Sequence, residues 1–199
     1  MKIFKENSYD IVRLYINQLG IMIFSMLLYT AVGSFENESL STSLSVFVSI
    51  FSTCFYLALI YYMMWEIGAK DKIRIDGGRM VPCKLKGLLM GTFANLPNFV
   101  LGALSVLTVS VYLIGNVEIF RSAFIIFNTV TRFHDAMLLG VITEIVPGGI
   151  SAGEVDYVEF LIESILFTVL PAISLLVTHL AYSLGLREKK LLSLFKSKK

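Results

Sequence analysis

The residues best suited to chemistry in this chain are concentrated in one stretch, residues 117–147. Four polar residues there are spaced at i, i+7, i+11 and i+14, so they share one face of a helix. They are Arg121, Asn128, Arg132 and Asp135. An arginine in an apolar site can bind an anionic group through parallel hydrogen bonds, and a carboxylate can hold it in place when the site is empty. The spacing therefore predicts an anion site centred on an Arg132–Asp135 pair.

Other polar residues in apolar surroundings extend this candidate site. His134 adjoins Asp135, and Glu163 lies one turn inside the last apolar run, where we expect it to reach Arg121. The full predicted solute-binding set is Arg121, Asn128, Arg132, His134, Asp135, Asn95, Asn98 and Glu163. Charges inside a membrane protein are costly unless they are paired or hydrated, and they often mark functional sites. The competing interpretation is that they are interfacial or paired for structure only.

The sequence offers little support for catalysis or metal binding. It has no nucleophile elbow, no His-Glu-x-x-His motif and no phosphate-binding glycine loop. Its two histidines, His134 and His179, have no cysteine partners at metal-ligand spacing. No cofactor and no metal are expected. A membrane enzyme acting on lipid head groups, with His134 and Asp135 as acid–base groups, is the weakest of three functional hypotheses.

The composition indicates an integral membrane protein. Hydrophobic residues make up 56% of the chain and charged residues 16%, and the mean hydropathy is +0.75. A soluble domain carries about 25% charged residues. With about 20 residues needed for each crossing, the chain is expected to form one all-α transmembrane domain, residues 1–199. We predict a polytopic helix bundle of four to five transmembrane helices, with a non-spanning or re-entrant segment at about 117–147.

The placement of charge predicts the orientation of this bundle. Of the 17 Lys and Arg residues, 15 lie in residues 1–13, 66–86 and 187–199, whereas 34–42 and 143–159 carry only acids. Basic residues accumulate in short cytoplasmic loops. We therefore expect a bacterial cytoplasmic membrane protein with both termini on the cytoplasmic side. The basic segments 66–86 and 187–199 are expected to meet anionic lipid head groups, and no nucleic-acid partner is expected.

Each apolar run carries its own structural signal. The first, 14–33, predicts a retained helix, with a signal peptide as the competing interpretation. The second, 43–65, is rich in Ser and Thr, which favours packing inside the bundle. The third, 87–115, has a small-residue face and is expected to kink near Pro97, with the flanking asparagines satisfying backbone groups. The last is 160–185.

Two polar stretches carry weaker structural signals. Residues 72–76 alternate charged and apolar side chains before the turn signal Gly77-Gly78, which permits a short hairpin. The alternative to head-group contact for the loop 66–86 is a solvated loop that serves only as an orientation signal. The tail 186–199 can continue as an amphipathic helix on the membrane surface.

Counting the crossings singles out residues 117–142. If this stretch crossed the membrane fully, the acidic loop would be inside and the cationic tail outside, which contradicts the charge rule. We therefore expect no net crossing. Two arrangements fit: an amphipathic helix along the outer interface, or two half-helices (roughly 119–131 and 136–147) that dip into the membrane and turn at residues 132–135.

The leading functional hypothesis is a transport or channel-type component for a small solute or ion, because discontinuous helices at mid-depth commonly build transporter sites. Four spans are few for a self-sufficient transporter, so a homo-oligomer or a larger membrane complex is expected. The alternative is a non-transporting membrane module, such as an accessory, assembly or immunity-type subunit. A hydrated cavity reached by Asn95, Asn98 or Arg132 would distinguish the two.

Overall fold

The fold is almost entirely α-helical. The computed structural model describes residues 7–34, 38–146, 150–151 and 154–188. The helices are α1 (Ser8–Val32), α2 (Glu38–Asp76), α3 (Lys86–Ala94), α4 (Leu96–Gly115), α5 (Glu118–His134), α6 (Leu139–Ile145), α7 (Tyr157–Val169) and α8 (Ala172–Leu186), with a 3-10 turn at Ala136–Leu138. Two-residue strands, β1 (Ile150–Ser151) and β2 (Glu154–Val155), pair antiparallel between α6 and α7.

The long apolar helices confirm the predicted fold class. Four candidate spans are long and apolar enough to cross a membrane, namely Ser8–Val32, Ser39–Asp76, Leu96–Gly115 and Tyr157–Leu186. The helices α5 and α6 form a fifth only if counted together, and they are bent by 78° at the break between them. The chain is thus an all-α, polytopic integral membrane protein with four to five spans.

The third apolar run is interrupted where the proline predicted a kink. The helix α3 ends at Ala94 and α4 begins at Leu96, with Asn95 between them. Proline cannot donate a backbone hydrogen bond, so carbonyls in the preceding turn need other partners. The residue at the break, Asn95, donates both its backbone N–H and its side-chain Nδ2 to the carbonyl of Gly91, each at 3.0 Å. The prediction of a break near Pro97 is confirmed.

The possible hairpin in the 66–86 loop is not formed, because α2 continues to Asp76. Two i,i+4 ion pairs support the extension: Glu66–Lys70 at 2.7 Å and Lys72–Asp76 at 2.6 Å. The helix ends at Gly77-Gly78, where Gly78 adopts a φ of +69° that glycine tolerates without strain. The turn was therefore predicted correctly, and the strand pairing was wrong.

The described residues divide into two compact units. The first contains residues 7–17, 56–95 and 172–188. Its helices approach closely through glycines: a methyl group at Gly68 would collide with the backbone of α8, and one at Gly87 or Gly91 would collide with Tyr182 or Thr178. The predicted small-residue face of the third run does serve close packing.

The second unit contains residues 18–34, 38–55, 96–146, 150–151 and 154–171. Within it, α2 has a polar inner face and an apolar outer one. Ser49 and Ser52 are fully buried, as the hydroxyl-rich composition predicted. Exposed phenylalanines stack along the outer face at four-residue spacing, namely Phe47, Phe51 and Phe55. This is the division expected of a helix with one side in lipid and one in a bundle.

Three features named in the sequence analysis lie partly or wholly outside the described residues. These are the surface helix expected in the tail 186–199, parts of the two acidic loops (residues 35–37, 147–149 and 152–153), and the lipid contact expected of residues 189–199.

Candidate functional site

The predicted polar face is carried by α5, an uninterrupted helix in the second unit. Asn128 and Thr131 are buried on one side of it, and Asp135 continues that side just beyond the helix end. Apolar side chains such as Ile119, Ile126 and Phe133 are exposed on the other side. A helix with such an asymmetric surface presents its polar face to the protein. The structure therefore confirms the helical spacing that the sequence predicted for these polar residues.

Arg132 is paired with Glu163 of α7. Its Nε and Nη2 donate to the two carboxylate oxygens, each at 2.6 Å, and its guanidinium carbon lies 5.4 Å from the centre of the Phe160 ring. Glu163 is fully buried, and the Arg132 side chain is 32% exposed. Bidentate pairing fixes the guanidinium in one plane. The expected local pair between Arg132 and Asp135 is wrong, because a carboxylate on another helix offers both oxygens to the arginine fork.

Arg121 lies three turns before Arg132 on α5. Its Nη1 donates to Glu118 at 2.7 Å, and its Nε donates to the hydroxyl of Tyr157 at 2.6 Å. The expected contact of Glu163 with Arg121 is therefore also wrong. The two arginines are 11 residues apart, a rise of about 16 Å along the helix, so the acid that faces one cannot reach the other.

Asp135 is completely buried just beyond the C-terminus of α5. One carboxylate oxygen, Oδ1, accepts a hydrogen bond from Nδ2 of Asn98 at 2.8 Å. Asn98 belongs to the first turn of α4, so the polar residue next to Pro97 and the polar face of α5 do meet. His134 is buried beside Asp135, at 7% exposure.

Asn95 is the one predicted site residue outside this unit. It belongs to the first unit, where its amide serves the backbone of α3 as described above. The remaining predicted residues all belong to the second unit. Arg121, Arg132 and Asn128 share a cavity there, Glu163 holds Arg132, and Asn98 holds Asp135.

Two cavities adjoin the polar face of α5, and Arg132 lines both of them. One has a volume of about 230 Å³ and is lined by Arg121, Phe124, Ile125, Asn128, Thr129, Arg132, Tyr157 and Phe160. The other has a volume of about 320 Å³ and is lined by Met26, Tyr29, Thr30, Thr129, Arg132, Phe133, Ala136 and Leu139. We call the first the arginine cavity. No carboxylate of the described residues lines it.

Hydrogen-bonding capacity remains unused in the arginine cavity. Within the described residues, Nη1 of Arg132 and Nη2 of Arg121 make no hydrogen bond. Asn128 is 6% exposed, and its buried Nδ2 also has no partner among them. Buried polar groups are normally satisfied, and exceptions often indicate a ligand or a functional role. Asn128 lies one turn from Arg132, close enough for both to contact one small solute.

The segment after Asp135 turns back along α2. The hydroxyls of Ser49 and Thr53 donate to the carbonyl of Met137 at 2.7 and 3.2 Å. Three residues later, the amide of Gly140 donates to the hydroxyl of Tyr29, and Gly140 packs against the carbonyl of Ser45. These contacts, with the bond from the amide of Val141 to the hydroxyl of Ser49 at 3.3 Å, hold the segment after Asp135 against the first half of α2 and the end of α1.

A second buried polar cluster, in the first unit, was not predicted. Lys86 and Tyr182 donate to Oδ2 of Asp71 at 2.6 and 2.9 Å, and all three side chains are buried. Sequence analysis placed Asp71 and Lys86 in a solvated loop. A signal was present: Ile60, Met64, Gly68 and Asp71 follow one helical face, so extending the periodicity past Trp65 would have placed Asp71 in the interior.

Among the described residues, no group of three or more His, Cys, Asp or Glu side chains is placed to hold a metal ion. Comparison of the chain with family models, with curated proteins and with solved structures found no match in any of the three. The fold and the buried polar face define a polytopic membrane protein with charged groups inside its helix bundle. Its function has to be argued from that site.

Proposed function

We propose that the protein is a membrane transport component that binds a small anionic solute in the arginine cavity. The observation that carries the proposal is the pair of unused donors one turn apart, Nη1 of Arg132 and Nδ2 of Asn128, in a cavity without a carboxylate. Glu163 holds the guanidinium in position, the role first expected of Asp135. A preorganised arginine loses little freedom on binding a carboxylate or phosphate group.

Arg121 has a different role in this proposal. It is 42% exposed and lies about 16 Å along α5 from Arg132, too far to contact the same small anion at the same time. A cation at the mouth of a low-dielectric cavity raises the local concentration of anions and speeds their association. Arg121 therefore attracts the solute, while Arg132 and Asn128 bind it.

The orientation proposed for the chain follows the charge rule. Both termini and residues 66–86 face the cytoplasm of a bacterial cell, residues 34–42 and 143–158 lie outside, and α5–α6 enters the membrane from the outer side and returns without crossing. The hydrogen bonds of Met137 and Gly140 to α2 and α1 support this course. The basic residues near the end of α2 then meet anionic lipid head groups, and the four spans assemble with further copies or with other membrane subunits.

A non-transporting module is the second candidate, and the packing of the first unit favours it. There α2, α3 and α8 approach through glycines that leave no room for a methyl group. Tight backbone contact of this kind suits an assembly role. The lipid-modifying enzyme is the least supported, because Asp135 and His134 are buried and a head group at the interface cannot reach them.

Binding of labelled anions to the protein in nanodiscs tests the proposal. Inorganic phosphate, sulfate and acetate are each titrated against the wild type and against Arg132→Lys, which keeps the ion pair but lacks the planar fork. At least one anion should bind saturably, and Arg132→Lys should weaken it about tenfold. Arg121→Gln should weaken it a few-fold, mainly at low salt.

Arg13→Lys is the matched control, since Arg13 is an exposed arginine of the first unit. It should bind as the wild type does. Saturable binding of none of the three anions, or equal losses in Arg132→Lys and Arg13→Lys, would refute the anion site and leave the module as the better interpretation.

A further inference from the structure

No Lys or Arg among the described residues pairs with the buried carboxylate of Asp135. Its Oδ1 accepts from the neutral amide of Asn98, and its Oδ2 makes no hydrogen bond to any described residue. Arg132, three residues earlier, donates its two hydrogen bonds to Glu163. A charge removed from water is strongly destabilising unless it is paired or bound to a metal. The anion site does not explain this group, because Asp135 does not line the arginine cavity.

Capping does not explain Asp135 either. The residue precedes the 3-10 turn Ala136–Leu138, yet its side chain makes no capping hydrogen bond to that turn. It also sits at the C-terminal end of α5, a helix of 17 residues, where the helix dipole is negative. The local field therefore favours a positive charge beside the carboxylate.

Two further oxygens near Asp135 have unused capacity. Oδ1 of Asn98 belongs to the same amide that donates to Asp135, and Oγ1 of Thr131 lies one turn earlier on the same face of α5. Both atoms are buried, at 1% residue exposure, and neither has a partner among the described residues. A carboxylate, an amide carbonyl and a hydroxyl are the ligands that hard cations prefer.

We propose that Asp135, Asn98 and Thr131 form a binding site for a dehydrated alkali-metal cation. A single carboxylate balances one positive charge, whereas divalent cations usually take several carboxylates or retain waters. The position at a broken helix is one at which membrane transporters commonly bind Na⁺. The site is separate from the arginine cavity, since none of its three residues lines that cavity, and it holds whether or not an anion binds there.

Thermal unfolding of the purified protein tests the site. The melting temperature is measured in NaCl, LiCl, KCl or N-methylglucamine chloride, at equal chloride concentration and fixed pH. At least one alkali cation should raise the Tm of the wild type by several degrees in a saturable manner. Asp135→Asn should abolish that rise and should itself be as stable as the cation-free wild type or more so, because it removes an unpaired buried charge.

Glu144→Gln is the matched control, because Glu144 is an exposed acid on α6 in the same unit. It should keep the full response. Asn98→Ala should weaken the apparent affinity at least tenfold. A wild-type Tm that is the same in all four salts would overturn the proposal, as would a rise that persists in Asp135→Asn. A Tm that depends on pH but not on Na⁺, Li⁺ or K⁺ would indicate a proton site and would also overturn the proposal.

Discussion

Replacing Arg132 should lower the free energy of unfolding much more than replacing its ion-pair partner Glu163. Glu163 is fully buried, and both of its oxygens bond to Arg132 at 2.6 Å. Arg132→Gln therefore leaves a buried carboxylate without its cation, a change that typically costs 3–5 kcal/mol. Because Arg132 is 32% exposed and borders two cavities, some water can reach the site, and we expect about 3 kcal/mol.

The reverse change should be milder. Glu163→Gln leaves the arginine unpaired, but that side chain can turn toward the arginine cavity and keeps its contact with the Phe160 ring. We expect a loss of about 1–2 kcal/mol. The double variant Arg132→Gln with Glu163→Gln should lose less than the sum of the single losses, by about 2 kcal/mol, since no unpaired charge remains.

Equilibrium unfolding in mixed micelles, followed by circular dichroism, measures the four proteins of this cycle. A cost for Glu163→Gln equal to or larger than that for Arg132→Gln would refute the reasoning from burial. A coupling energy below about 0.5 kcal/mol would show that the two groups do not stabilise each other in the membrane protein as the contact distances indicate.

Two further predictions concern the membrane topology and the packing of α6. In a protein whose Cys54 and Cys83 are replaced, a cysteine at Ser34, Asn116 or Glu144 should react with an impermeant thiol reagent from outside, and a cysteine at Gly78 should not. Labelling at Asn116 without labelling at Glu144 would mean that α5–α6 crosses the membrane. Gly140→Ala should destabilise the protein by at least about 2 kcal/mol, because the added methyl meets the Ser45 carbonyl and the Tyr29 hydroxyl. Gly20→Ala, whose methyl would have nothing within 4 Å, should be neutral or slightly stabilising. Equal effects of the two changes on the free energy of unfolding would contradict the packing of α6 on α2.

Periodicity and local chemistry predicted the elements of this fold well. The proline with its asparagines marked the break at Asn95, and the polar spacing marked the buried face of α5. Both signals act along a single helical segment, where sequence order determines geometry. The 78° bend between α5 and α6 falls in the segment that charge counting excluded from a simple crossing.

Partners across helices could not be predicted in the same way. Arg132 has an acid three residues away, yet it pairs with Glu163, 31 residues further on, because only that carboxylate presents both oxygens to the guanidinium. The hairpin expected before Gly77 failed for a related reason. Alternation over five residues is a weak signal, and two ion pairs at helical spacing together with the buried face of α2 outweighed it.

The two buried aspartates, Asp71 and Asp135, differ in how their negative charge is balanced. Asp71 bonds to Lys86 and Tyr182 and lies 3.7 Å from Arg74, so its charge is balanced by the protein itself. Asp135 is equally buried, but its one hydrogen-bond partner among the described residues is the neutral amide of Asn98. Asp71 shows that this chain can balance a buried carboxylate with its own side chains, and this contrast is the reason for proposing a cation site at Asp135. The same reasoning applies to the unused donors of Arg132 and Asn128. Both proposed sites, the cation site at Asp135 and the anion site at Arg132, belong to the second unit.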